Sequence, residues 1–118
     1  MSTLNGRGLR TVAAKTAAYT VTAADNGTTF TNAGASGAVT FTLPPATVGL
    51  WYRFVVKAAQ ELRIDPSGTE TISLATGVQQ AAGKYITADA AGERISVECV
   101  AAGVWETAEA VGTWGVEG

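Results

Sequence analysis

The chain has 118 residues, 47% of them hydrophobic and only 15% charged, with a formal net charge of −2. That is the size of one ordinary domain, too apolar for disorder, and without the global basic field that draws nucleic acid. No histidine is present and Cys99 is the one cysteine, which excludes Ser-His-Asp and Cys-His catalysis, His- or thiolate-built metal sites and an internal disulfide.

A lone cysteine fits synthesis in a reducing cytoplasm. No apolar run reaches the roughly 18 residues that a membrane-crossing helix needs. Arg7 and Arg10 are followed by no apolar stretch of the signal-peptide kind. The expectation is therefore no cofactor, no metal, and neither membrane nor nucleic acid as a partner.

Residues 1–17, "MSTLNGRGLRTVAAKTA", read as a flexible N-terminal arm. Arg7, Arg10 and Lys15 make it basic, with no acid to offset them. Such a segment is either a frayed terminus or a tether onto an acidic partner. Residues 18–118 read as one β-domain. "AYTVT" alternates, "DNG" (25–27) is a turn signal because Asn-Gly readily supplies φ > 0, and "TTFTN" resumes the strand pattern. "AGASG" (33–37) is a Gly-rich loop; it lacks the GK[ST] ending of a phosphate loop.

"AVTFTL" puts Val39, Phe41 and Leu43 on one face, with threonines on the other. "PPATVG" breaks that ladder, since proline has no N–H to donate. The next strand splits into Leu50/Tyr52/Phe54/Val56, assigned to the core, and Trp51/Arg53/Val55/Lys57, assigned to a surface or interface. In "ELRIDPSG", Leu62 and Ile64 point inward before a turn. Asp65 and Glu70 flank that turn; paired carboxylates serve acid–base work or Ca²⁺, but a solvated turn explains them as well. "ETISL", "KYITA", "ERISVECV" and "VWETAEAV" complete the strands, with Ile95, Val97 and Cys99 inward and Arg94, Ser96 and Glu98 outward. "GTWGVEG" ends the chain.

No segment holds a sustained helical period, and no fixed-period repeat indicates a solenoid. The expected fold is all-β, a jelly-roll-like antiparallel β-sandwich of about 8–10 short strands with an extended N-terminal arm. Trp51, Trp105 and Trp114 fit a core, a subunit interface or a sugar-stacking platform. Large hydrophobes are few, so the core should be thin and association should add stability. The basic arm and the acidic end (Glu106, Glu109, Glu117) suit head-to-tail pairing of identical subunits.

The stretch 19–72, "YTVTAADNGTTFTNAGASGAVTFTLPPATVGLWYRFVVKAAQELRIDPSGTETI", resembles a segment of bacteriophage virion β-domains. It runs from a "DNG" turn through "TFTLPPATVG" and an aromatic strand to Leu62, Ile64, Pro66, Gly68 and Ile72. Similar segments occur in tail-fibre modules and in small head decoration (cement) proteins. A short chain with an arm and no fibrous shaft favours the second. The resemblance implies a non-enzymatic structural protein, made in the host cytoplasm and placed as a homotrimer on the outer surface of the capsid, with the major capsid protein as partner. Arg7, Arg10, Lys15, Pro44, Pro45 and Val48 are then the candidate capsid contacts. Trp51, Arg53, Val55, Trp105 and Trp114 are the candidate subunit interface. The alternative is a receptor-binding tail module whose tryptophans stack on host glycan.

Overall fold

The structure is a computed structural model and describes residues 9–74 and 76–118. It is nearly all β, with 42% of the described residues in strands or isolated bridges and two packed sheets. The strands are β1 (Val12–Ala14), β2 (Tyr19–Thr20), β3 (Thr29–Thr31), β4 (Val39–Thr42), β5 (Trp51–Val55), β6 (Leu62–Asp65), β7 (Thr71–Ile72), β8 (Ile86–Ala88), β9 (Arg94–Ala101), β10 (Val104–Val111) and β11 (Gly115–Val116). A single 3-10 turn, Ala23–Asp25, is the one helical element among the described residues. One sheet has the order β1-β3-β5-β9-β10-β7 and the other β11-β8-β6-β4-β2.

The chain therefore changes sheet at almost every connection; only β9 to β10 stays within one sheet. Strands two apart in sequence become neighbours, and β1, β3 and β5 pair in parallel, as do β2, β4 and β6. The first six strands are thus a coil of two-strand turns, and antiparallel pairing enters only with β8 to β11. This corrects the expected antiparallel, jelly-roll-like pairing. Alternation tells which face of a strand is buried, not which strand lies beside it. Here the Gly- and Pro-containing loops carry the chain across the sandwich instead of folding it back in the same sheet. Val12 faces Thr29 and Thr29 faces Arg53 in one sheet, while Tyr19 faces Phe41 and Val39 faces Leu62 in the other. These offsets are unequal, which is why a coiled chain shows no fixed sequence repeat.

Alternation did place the core. Val39, Phe41, Leu43, Tyr52, Phe54, Val56, Leu62, Ile64, Ile72, Ile95, Val97 and Cys99 are all buried, and Leu50 is partly so. Phe30, Phe41 and Phe54 form the centre: Phe30 stacks on Phe54 at 5.7 Å between ring centroids, and Phe41 lies 5.3 Å from each. Burial of this kind contributes ~25 cal/mol per Å² of apolar surface and is the main force closing the two sheets.

Residues 12–14 do not belong to an arm. They form β1, at the edge of the six-stranded sheet, with Ala13 packed against the core. The expected 1–17 arm is corrected to this extent. "TVAA" is short and weakly apolar, and its strand state comes from the waiting edge of β3, not from its own propensity.

Three carboxylate or amide side chains fix the loops. Asn32 is fully buried; its Oδ1 accepts from Lys57 N and Ala58 N, and its Nδ2 donates to Ala58 O and Gln60 O. Glu93 accepts from the backbone N–H groups of Asp89, Ala90 and Thr113, which lowers its pKa. Glu70 accepts from Ala46 N at 2.9 Å. Glu70 is therefore a pin for the proline loop and not half of an acid–base pair with Asp65.

Candidate functional site: the outer face of the six-stranded sheet

β5, β9 and β10 lie side by side, and their outward residues share one face. Trp51 sits opposite Glu98, Arg53 opposite Ser96 and Val55 opposite Arg94, while Glu106 and Ala108 continue the Glu98 and Ser96 rows. A shallow groove of about 450 Å³ runs over this face, lined by Arg10, Trp51, Arg53, Ser96, Glu98, Ala108 and Glu109.

Glu109 is set into the groove by a break in its strand. Between Ala108 and Val111 the β9–β10 register slips, leaving one extra residue on β10. Glu109 has φ 55°, the single non-glycine with positive φ among the described residues. A bulge re-aims a side chain, and strain of this kind persists only where surrounding contacts hold it. Those contacts are present. Ser96 Oγ donates to Glu109 Oε1 at 2.9 Å, and Arg53 Nη2 donates to the same oxygen at 3.0 Å. The Ser96 hydroxyl and the Arg53 guanidinium hold the Glu109 carboxyl below its ordinary pKa. Ser96 itself is buried beneath this pair.

Arg10 enters from the segment before β1. Its guanidinium lies 4.6 Å from the centre of the Trp51 ring, and that of Arg53 lies 5.9 Å away. Such cation–π contacts contribute ~0.5–1 kcal/mol at exposed sites. The other basic residue of this segment with a described position, Lys15, lies 4.0 Å over the Tyr19 ring. Arg10 and Lys15 thus each meet an aromatic face of their own chain, and Arg10 also lies near Glu109.

Of the expected contact residues, Arg10, Trp51 and Arg53 come together in the groove, and Val55 is on the same face. Pro45 and Val48 are exposed on the loop between β4 and β5, with Val48 64% accessible. That loop is held by Glu70, by Gly49 N to Cys99 O and by Gly103 N to Ala46 O, beside the exposed Val100. Arg7 lies outside the described residues.

Three expectations are corrected. Trp105 is fully buried and Trp114 nearly so, so neither is available to a partner. Trp105 faces the Tyr52 ring at 6.0 Å, and Trp114 donates its indole N–H to Arg94 O. Pro44 is buried where the chain leaves β4, so it shapes the loop without touching anything outside. Sequence reasoning named Glu109 only within an acidic end suited to head-to-tail pairing and did not place it beside Arg53, because strict alternation puts it on the face opposite Ala108. It read Ser96 as outward but gave it no role.

Among the described residues no group of three or more Cys, Asp or Glu is placed to hold a metal ion. No family model and no curated protein matches the chain.

Proposed function

We propose that the chain is a structural virion protein of a bacteriophage, a head decoration protein that binds the major capsid protein on the outer capsid surface as a homotrimer. It performs no catalysis. The observation that carries this reading is the state of the outer face of the six-stranded sheet. The face is shallow and mixed in charge, it carries Trp51 between Arg10 and Arg53, and Arg53, Ser96 and Glu109 are already bonded to one another. Surfaces of that composition suit contact with another protein, and rigid side chains lose little freedom on association. Trp51, Arg53 and Val55 belong to the subunit contact, and Pro45 and Val48 on the pinned loop belong to the capsid contact. Modest contacts suffice when several subunits attach together, because each raises the effective concentration of the rest.

The tail-fibre reading needs an open aromatic face for a sugar ring. Trp105 and Trp114 are buried, and Arg10 covers Trp51, so no feature here favours it. Gold-labelled antibody against the chain, applied to particles of the encoding phage, tests the choice. Label spread over the head supports decoration. Label confined to the tail tip overturns it. Native mass spectrometry of the free protein then reads the subunit number, and a monomer at all concentrations would remove the trimer.

A further inference from the structure

The Asn26–Gly27 turn plays no part in the proposed assembly, yet it is the most chemically labile dipeptide described in the chain. An Asn followed by Gly closes readily to a succinimide, because glycine offers no side chain to hinder the approach of its own nitrogen. Asn26 is exposed. Its surroundings, however, hold both reacting groups. The Asn26 Oδ1 accepts from Trp51 N at 2.7 Å, and Gly27 N donates to Trp51 O at 2.7 Å. Arg53 N continues the ladder to Thr28 O. The nitrogen that must attack and the amide that must be attacked are thus bound to one residue of β5. Asn26 also has ψ 133°, an extended value that points the following nitrogen away from its own side chain. Ring closure requires that ψ to turn and both bonds to Trp51 to break.

We propose that Asn26 is a gated deamidation site, inert while β3 and β5 are closed at Trp51 and reactive once that end opens. In the reaction Gly27 N bonds to Asn26 Cγ and loses its proton, and the side-chain amide leaves as ammonia. Water then opens the five-membered ring to aspartate or isoaspartate. The isoaspartate form lengthens the backbone by one methylene at a tight turn, so an opened copy cannot restore the original ladder. The gate is irreversible in that direction and records past opening of the Trp51 end.

The test incubates the intact folded protein, the protein in denaturant and a synthetic peptide of residues 21–31 in the same mildly alkaline buffer. Peptide mapping by mass spectrometry separates the Asn, Asp and isoAsp forms, and resolves the second Asn–Gly pair, Asn5–Gly6, as a different peptide. Conversion at Asn26 in the folded protein should be at least about tenfold slower than in the peptide, the protection that a local opening equilibrium gives. Denaturant should restore the peptide rate. Amide hydrogen exchange at Gly27 and Trp51 should slow in parallel. Equal rates in the folded protein and the peptide would overturn the gate, as would no conversion in denaturant.

Discussion

At the scale of single residues, the structure separates side chains that fill space from those that satisfy backbone groups. Phe54 touches both Phe30 and Phe41 at the centre, so Phe54→Ala should cost ~3–5 kcal/mol, read as a shift in the urea midpoint. Trp51→Ala should leave that midpoint nearly in place and weaken only assembly. Asn32 is the sharper case. Removing its side chain breaks four hydrogen bonds to the backbone of Lys57, Ala58 and Gln60, so Asn32→Ala should cost about 3 kcal/mol even though little apolar contact is lost. Tyr52 adds a pH dependence. Burial, with the nearby Asp25 charge, pushes its phenol from 10.0 up to about 12. Between those values the folded chain keeps the proton and the unfolded chain loses it, so stability should fall as pH rises through that window. Urea midpoints measured across it should drop more steeply in the native protein than in Tyr52→Phe. That substitution also removes the bond to Thr22 O.

Elements were legible in the sequence to unequal degrees. The β4 and β5 strands are long enough for alternation to mark both faces, and every residue assigned inward from Val39 to Val56 is at least partly buried. β1 and β7 were harder to read, since two or three residues carry no period and their state depends on a neighbouring edge. Glu109 could not be placed by parity at all, because a one-residue bulge reverses parity beyond it. Parallel pairing was equally hidden: a strand's side chains are the same whichever way its neighbour runs. At this scale the loop between β4 and β5 offers a clean test. Glu70→Ala frees Ala46 N and should speed hydrogen exchange through 46–50 while leaving β5 protected, and it should weaken capsid attachment if the loop makes that contact. Gly112 has φ 91°, and a Cβ there would clash with the Glu93 side chain. Gly112→Ala should therefore destabilise by ~1–3 kcal/mol, and it should also release Thr113 N from Glu93.

For the molecule as a whole, the connectivity has a consequence under load. Each passage from one sheet to the other is a covalent strap across the core, and nearly every connection is such a passage. Sliding the sheets past one another would tighten these straps one after another, where a sandwich of self-contained sheets would resist only through its packed side chains. Force applied in the plane of the sheets should thus meet a stiff, late-yielding body. The exception is the β9–β10 hairpin, whose connection never crosses, and mechanical failure should begin there.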